Sequence, residues 1–396
     1  MDIKNKSKKI SIIGGAGRVG FPFSMVLASL GFVVEIIDTD EDKMKMIKNG
    51  KSPFLEKGID KTLKNIKNLN ISFSTNFNNI KNADIVILTI GTPIDEYLNP
   101  DYKNFFKTLD DLFLYLKNNQ LLILRSTLFP GTSRKINDLL KKNKLSLKLA
   151  YCPERISQGN CLEEITVLPQ IISANSKKAI NETQKFFKLI TKKVITLEFE
   201  EAELSKLFSN SWRYIKFAIA NQFFTICEEN NLDFEKIRAA MTMDYDRAID
   251  LPKSGFSAGP CLLKDTMQLS AYSRDKFTLG HTSMLTNEYL PNFLVNKTKA
   301  KIQLEGKTVG ILGMAFKPNN DDIRDSLAYK LKKILINEGA KVLCSDYFIS
   351  DKSFVDTKNL LSKCEIIFIG CPHQKYKKIK FHKRHHVVDC WGFLSY

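Results

Sequence analysis

The segment between Ser254 and Asp265 carries the most chemical information in the chain. Small residues and glycines lead up to Cys261, and Lys264 and Asp265 follow it after three and four positions. An approach rich in Gly and Ala lets backbone amides close on a bulky ligand, and a nearby cation favours the thiolate form of a cysteine. The segment therefore predicts a nucleophilic cysteine at position 261, with Lys264 as the cation that holds its thiolate.

The chain has eight cysteines, and no two of them form a CxxC pair. This spacing argues against a zinc site or a disulfide framework, so no metal is expected. For each cysteine the alternative interpretation is a small buried apolar residue. Only its neighbours single out Cys261.

A glycine-rich turn follows the first predicted strand. Gly15, Gly17 and Gly20 form a GxGxxG sequence that opens a helix. In dinucleotide-binding proteins the first glycine allows a tight turn, the second lets the backbone approach a pyrophosphate, and the third lets helix and strand pack closely. Asp38 ends the second predicted strand, where a carboxylate accepts hydrogen bonds from the adenosine ribose and repels a 2′-phosphate. The predicted cofactor is therefore NAD rather than NADP, although Lys43 lies nearby.

Two polar turns follow later strands of the same predicted sheet. Thr92-Pro93 ends one strand and Ser126-Thr127 ends the next. Ligands bind at the carboxyl ends of strands in open α/β sheets, although turn chemistry alone would explain either pair, and also the glycines and Asp38. The complete predicted cofactor set is Gly15, Gly17, Arg18, Val19, Gly20, Asp38, Thr92, Pro93 and Thr127.

Short β-branched runs alternate with longer amphipathic stretches, which predicts an α/β fold with a parallel sheet flanked by helices. From Glu200 onward, roughly thirty residues without Gly or Pro have helical apolar spacing, and strands resume at 307. We therefore predict two Rossmann-like α/β domains joined by a long helix and a helical middle domain, divided as 1–199, 200–300 and 301–396. The predicted strands lie within 8–14, 32–38, 83–91, 120–127, 147–154, 169–174, 194–198, 307–316, 340–346, 365–371 and 386–391.

The formal net charge is +17, but the basic residues are spread along the chain between acidic ones. This distribution predicts a lysine-rich surface that favours anionic small molecules, and it argues against nucleic-acid binding as a function.

No apolar run approaches the roughly 20 residues that cross a bilayer, and the chain opens straight into a strand, which predicts a soluble cytoplasmic protein. The lysine-rich first nine residues are predicted to be disordered.

Seven segments along the chain follow one another in a characteristic order. They are GGAGRVGFP (14–22), GTPIDEYLNPD (91–101), STLFPGT (126–132), YCPERISQG (151–159), AELSKLFSNSWRY (202–214), GPCLLKD (259–265) and GMAFKPNNDDIRDS (313–326). In these segments and their order the chain resembles the UDP-glucose/GDP-mannose dehydrogenase family over its whole length. The resemblance implies an NAD-dependent nucleotide-sugar 6-dehydrogenase of polysaccharide biosynthesis, which oxidises the C6 alcohol of a UDP-hexose to a carboxylate with two NAD.

The resemblance also implies a covalent route. Cys261 would capture the aldehyde as a thiohemiacetal, which still carries a hydride, and the second oxidation would leave a thioester for water to hydrolyse. Lys206 would stabilise negative charge on the C6 oxygen, with Asn210 on the same helix face, and Asp265 would orient water or the lysine and share in proton transfer. The alternative for Lys206 and Asn210 is a pair of solvated helix residues.

Further roles are implied at three other places. Glu154 would be the base for thioester hydrolysis and Thr127 would hold the water, whereas an ion pair with Arg155 is the alternative for Glu154. Lys317 and Arg324 flank an acidic turn, where cations would grip the substrate diphosphate. A homodimer through the central helices is implied, with Arg247 reaching the substrate of the neighbouring subunit. The predicted substrate set is Glu154, Lys206, Asn210, Arg247, Phe256, Ser257, Gly259, Lys264, Lys317 and Arg324.

The chain departs from the family pattern in two places. Many relatives have two glycines and then Ser or His before the cysteine, whereas this chain has Ala258-Gly259-Pro260, and Gln158 stands where some relatives place a second glutamate. These differences favour a UDP-N-acetylhexosamine over UDP-glucose.

Two alternative functions stay open: a two-electron hydroxy-acid or sugar-acid dehydrogenase without covalent catalysis, and a non-catalytic basic protein that binds nucleotides or nucleic acid.

Overall fold

The computed structural model describes residues 8–394, which form two compact units, one ending at Phe208 and one beginning at Ser209. The predicted α/β fold class is confirmed, whereas the division into domains at 199 and 300 stays a prediction. Lys9 opens the first strand, so the predicted disorder is wrong there. Residues 1–7, where the rest of that prediction falls, lie outside the described residues.

Eight described strands build the sheet of the first unit. They are β1 Lys9–Ile13, β2 Val33–Ile37, β3 Ile71–Ser74, β4 Ile85–Leu88, β5 Leu121–Leu124, β6 Lys148–Tyr151, β7 Gln170–Ala174 and β8 Val194–Thr196. Their spatial order is β3-β2-β1-β4-β5-β6-β7-β8. The first six strands are parallel and follow the order typical of a dinucleotide-binding fold, which reverses between β1 and β4.

The structure differs from the prediction at two strands of this sheet. Strand β7 runs antiparallel to β6, with Tyr151 opposite Ser173, so the sheet is not parallel throughout. Strand β3 was not predicted, because its four residues at the sheet edge are partly exposed and carry two serines. The end of β3 contacts the predicted cofactor site, because the Asp38 N–H donates to the backbone oxygen of Ser74 at 3.2 Å.

Apolar layers cover both faces of this sheet. In β4, Ile85 and Ile87 pack in one layer and Val86 and Leu88 in the other, as alternation along a strand requires. Full burial of one such side chain stabilises the fold by about 1.5–3 kcal/mol. The helices of this unit are α1 Gly20–Ser29, α2 Glu41–Lys48, α3 Ile59–Lys64, α4 Lys103–Phe113, α5 Thr132–Lys142, α6 Cys161–Val167 and α7 Lys177–Phe187.

The predicted long helix is α8, Phe199–Glu229, which begins in the first unit and ends in the second. It is followed by α9 Phe234–Thr242, α10 Leu262–Tyr272 and α11 Thr278–Lys299. Among the described residues, no helix combines the length and the apolar character that spanning a membrane requires.

The second sheet has four described strands and is parallel throughout. Its strands are β9 Thr308–Leu312, β10 Lys341–Ser345, β11 Ile366–Ile369 and β12 His386–Val388, and its helices are α12 Leu327–Asn337 and α13 Thr357–Lys363. The strands lie in the order β10-β9-β11-β12, and all neighbouring pairs are parallel. All four strands were predicted from the sequence.

Candidate active site

The glycine loop after β1 is shaped by close backbone contacts. A Cβ at Gly15 would lie 2.7 Å from the oxygen of Ile12, and a Cβ at Gly20 would lie 2.3 Å from the oxygen of Gly14. A Cβ at Gly17 would have one near neighbour, the Gly14 oxygen at 3.1 Å. The surrounding backbone therefore leaves no room for a side chain at Gly15 or Gly20. Such a loop has the shape that a dinucleotide pyrophosphate needs.

Asp38 holds this loop from the end of β2. Its carboxylate accepts hydrogen bonds from the backbone N–H of Ala16 at 3.0 Å and of Asp40 at 3.0 Å. Lys43 donates to Asp40, and this bond lowers the pKa of the Asp40 carboxyl. Lys43 is thus paired with a carboxylate, which weakens its case as a partner of a 2′-phosphate. The guanidinium of Arg18 lies over the ring of Phe54 at 4.8 Å.

The two predicted strand-end turns contact each other. The hydroxyl of Thr92 donates to the backbone oxygen of Thr127 at 2.7 Å, and Ser126 donates to the oxygen of Ile90 at 2.6 Å. Thr92 is buried, whereas Pro93 is exposed. The turns after β4 and β5 therefore form one connected edge of the sheet.

Glu154, after β6, forms an ion pair with Arg125 rather than with Arg155, so the alternative pairing is wrong. The other oxygen of Glu154 accepts from the backbone N–H of Arg155 at 2.8 Å and of Ile156 at 3.1 Å. Burial lowers the pKa of Arg125 to about 10, which still leaves it charged at neutral pH. Its guanidinium lies 4.3 Å from the centre of the Phe23 ring. Arg125 was missed, although an arginine at the end of the apolar run LLIL was a signal.

Glu203, on α8, is a second residue that sequence reasoning missed. Its carboxylate accepts from the backbone N–H of Gly131 at 2.6 Å and of Ser133 at 2.7 Å, at the start of α5. Burial raises the pKa of Glu203, because no exposed surface remains to hydrate the charge. Lys206, one turn later, is half-buried in the first unit.

Cys261 is the exposed cysteine among the eight free thiols. It occupies the N-cap position of α10. Burial raises the pKa of Cys344 and of Cys364 to about 11, which leaves those thiols protonated at neutral pH. Reactivity is therefore concentrated at Cys261.

Asp265 lies one helical turn after Cys261 and is fully buried. Asn210 donates to Asp265 Oδ2 at 2.6 Å, and Lys264 Nζ lies 2.8 Å from Asp265 Oδ1. The cation of this segment thus pairs with Asp265, whereas the prediction assigned it to the thiolate of Cys261. Asn210 is 6% exposed, so the alternative of a solvated helix residue is wrong for it.

The predicted diphosphate-binding turn lies close to the cysteine segment. Arg324 donates to both oxygens of Asp322, and this bonding raises the pKa of Arg324, with a further contribution from the nearby Cys261. Gly259 has φ +100, and a Cβ there would lie 2.4 Å from the ring of Phe316. Lys317, in the same turn, is half-buried.

Three other predicted substrate residues differ in accessibility. Phe256 and Ser257 are buried, and the Phe256 ring packs edge-on against Trp391 at 5.9 Å, so its side chain is not open to a ligand. Arg247 is exposed, and its guanidinium lies 5.5 Å from the ring of Tyr245.

The C-terminal sheet repeats the loop-and-carboxylate arrangement of the first unit with one difference. Asp346, after β10, accepts from the backbone N–H of Met314 at 2.6 Å and of Ala315 at 3.2 Å, in the loop after β9. His373 Nε2 lies 2.9 Å from the same carboxylate, and both side chains are fully buried. His373 Nδ1 accepts from the N–H of Asn319, so Nε2 carries the proton that it donates to Asp346.

Three parts of the sequence match the UDP-glucose/GDP-mannose dehydrogenase family: its NAD binding domain over 8–191, its central domain over 200–288 and its UDP binding domain over 310–396. A UDP-N-acetyl-D-mannosamine dehydrogenase of Methanocaldococcus jannaschii is 30% identical over 380 residues, which cover 93% of this chain and 87% of that protein. This chain belongs to the UDP-glucose/GDP-mannose dehydrogenase family.

A second relative and a solved structure are also similar to this chain over most of their length. A UDP-glucose 6-dehydrogenase of Rickettsia bellii is 25% identical over 344 residues, covering 84% of this chain and 79% of that protein. The solved structure of a UDP-D-ManNAc dehydrogenase from Pyrococcus horikoshii matches with a TM-score of 0.90 at 24% identity, covering 97% of this chain and 96% of that one. The family assignment confirms the predicted enzyme class, an NAD-dependent nucleotide-sugar dehydrogenase, and the predicted cofactor. It does not favour the two alternative functions.

Proposed function

We propose that this enzyme oxidises the C6 alcohol of a UDP-linked hexose, glucose or an N-acetylhexosamine, to the carboxylate through a covalent intermediate on Cys261. The observation that carries the proposal is the exposed thiol at the N-cap of α10, with the buried Asp265 one turn later. NAD, when bound, accepts a hydride in each of the two oxidations, and the cradle around Gly17 fits its pyrophosphate.

The thiol of Cys261 performs the step that joins the two oxidations. Its sulfur adds to the C6 aldehyde carbon, and the carbonyl oxygen takes a proton, which gives a thiohemiacetal. Loss of the C6 hydride and the hydroxyl proton then leaves a thioester. Water attacks this carbonyl, the C–S bond breaks, and the sulfur leaves as a thiolate while the sugar carboxylate is released.

Side chains that the family resemblance implicates would manage charge and protons. Lys206 stabilises negative charge on the C6 oxygen. Asp265, held by Asn210 and paired with Lys264, accepts and returns a proton through water or lysine.

Hydrolysis of the thioester would use a separate group of residues. Glu154 is the proposed base, and Arg125 with two backbone N–H groups fixes the direction of its carboxylate. Thr127 holds the water. Lys317 and Arg324 bind the diphosphate, and the Arg324 side chain is 54% exposed beside Asp322.

The stoichiometry of NADH tests this proposal directly. We expect two NADH for each sugar nucleotide consumed, because the thioester route removes two hydrides from C6. NADH production is measured with UDP-glucose, UDP-GlcNAc, UDP-ManNAc, UDP-galactose and GDP-mannose. The identity to the M. jannaschii enzyme and the Ala258-Gly259-Pro260 segment favour the N-acetylhexosamines. One NADH per substrate would indicate a two-electron enzyme, and a salt-dependent gel shift without NADH would indicate the non-catalytic alternative.

We also propose a homodimer through the central helices. An exposed apolar stripe follows α8 at helical spacing, through Phe208, Trp212, Ile219, Phe223 and Ile226. A second copy of the chain would cover this stripe and bring the exposed Arg247 toward the neighbouring substrate.

Light scattering after size exclusion tests the dimer. We expect twice the mass of one chain for the parent protein and one chain mass for Trp212→Glu, since Trp212 is 56% exposed within one chain and a charge there would be buried in the dimer. Leu114→Glu, at an exposed apolar residue outside the stripe, should keep the parent mass. A monomeric parent protein at all concentrations would contradict the proposal.

A further inference from the structure

We propose that Asn221, on α8, is a positioning residue for Cys261, because its side-chain amide holds the turn at Gly255 from which the cysteine segment runs; this inference rests on the proposed function. Asn221 Nδ2 donates to the Gly255 oxygen at 3.0 Å, and Asn221 Oδ1 accepts from the Gly255 N–H at 2.8 Å. One buried side chain thus binds both polar backbone groups of a single glycine.

A second buried amide orients the first. The other N–H of Asn221 Nδ2 donates to Asn287 Oδ1 at 2.8 Å, and Asn287 Nδ2 donates to the backbone oxygen of Tyr214 at 3.2 Å. Asn287 lies on α11 and is fully buried. A reversed Asn221 amide would place its oxygen against two acceptors, so the chain of donors allows one orientation only.

Gly255 is enclosed on its other side by Trp391. It has φ +142, and a Cβ at this position would lie 2.1 Å from the indole ring. The neighbouring Ser254 hydroxyl donates to the oxygen of Cys390 at 2.6 Å. The amide of Asn221 and the indole therefore hold the turn from two directions.

The far end of the segment is held independently. The Gly259 N–H donates to the oxygen of Asp325 at 3.3 Å, and the Phe316 ring occupies the space beside Gly259. Cys261 follows two residues later. With both ends anchored, the position of the sulfur depends on both anchors, and misplacement by about 1 Å can cost about 10²-fold in rate.

Substitution of Asn221 separates positioning from stability. In Asn221→Asp, one oxygen still accepts from the Gly255 N–H, but both donated hydrogen bonds are lost. We expect kcat and the rate of Cys261 alkylation by iodoacetamide to fall about tenfold or more, with the KM for NAD unchanged. Asn221→Ser leaves room for a water in place of the amide and is the second variant if the aspartate prevents folding. Asn221→Gln, which keeps both donors and the acceptor, should recover part of the lost rate.

Phe224→Leu is the matched control. Phe224 lies on the same helix, is 6% exposed and packs against the rings of Phe234 and Phe293. It should lower the melting temperature while the folded enzyme keeps the parent kcat and alkylation rate.

The outcomes distinguish this inference from the proposed function. If Cys261→Ser abolishes turnover and a folded Asn221→Asp or Asn221→Ser enzyme keeps both parent rates, the positioning role is wrong. If Cys261→Ser turns over normally, the proposed function itself fails.

Discussion

Replacing Cys261 with serine should lower the turnover of sugar nucleotide to carboxylate by about 10³-fold or more, equivalent to roughly 4 kcal/mol in the barrier. A serine hydroxyl at an exposed N-cap is protonated at neutral pH and is a poorer nucleophile and a poorer leaving group than a thiolate. The measurement is the initial rate of NADH formation per folded enzyme. Folding should be retained, because the residue is exposed and serine is a favourable N-cap residue.

The other cysteines supply the control. Cys227 lies on α8 and is buried, and burial raises the pKa of its thiol. Cys227→Ser should keep kcat per folded enzyme, and iodoacetamide should label Cys261 alone while the protein is folded. Parent-like turnover in Cys261→Ser, or in enzyme alkylated at Cys261, would show that the chemistry does not pass through this sulfur.

Asp265→Asn should lower kcat by about 10²–10⁴-fold, the range that general acid–base groups contribute. In the parent protein, Asn210 and Lys264 bind the two carboxylate oxygens of Asp265. The amide of the variant would place an N–H donor against one of these two donors. Breaking a buried ion pair in this way costs about 3–5 kcal/mol, so the free energy of unfolding should fall as well. Urea unfolding and the rate per folded enzyme measure the two effects separately.

An exposed pair provides the comparison for Asp265. Lys141 and Asp138 form an ion pair on α5 in which both side chains are mostly exposed. Asp138→Asn should change the free energy of unfolding by about 0–1 kcal/mol and leave kcat unchanged. An Asp265→Asn enzyme with parent kcat would remove Asp265 from the proton transfer.

Local patterns in the sequence predicted most of the strands and the long helix. The apolar run at 83–91 predicted β4, because alternate residues feed two buried layers and both faces must be apolar. The glycines of the loop after β1 were predicted for the same reason that the structure needs them: a side chain at Gly20 would collide with the backbone. The residues around Cys261 singled out Cys261 and Asp265, which lie at the start of α10 in the structure.

Partners distant in the sequence could not be predicted in this way. Arg125 and Glu154 meet because β5 and β6 are neighbours, and Glu203 reaches the start of α5 from α8. Such pairs depend on tertiary packing, which periodicity does not encode. The ion pair of Lys264 with Asp265 was missed for a related reason: the two residues are adjacent in sequence, but only the fold shows that the Asp265 carboxylate is buried and needs a cation.

The buried imidazole of His373 has a consequence for the order of events. In the first unit the carboxylate at the end of the second strand remains partly accessible, whereas its counterpart, Asp346, is already occupied by the protein's own ring. Of these two carboxylates, Asp38 is thus the one that can accept hydrogen bonds from a ribose. On the proposed chemistry, the sugar must therefore stay covalently bound to the Cys261 sulfur as a thiohemiacetal while NADH dissociates and a second NAD binds.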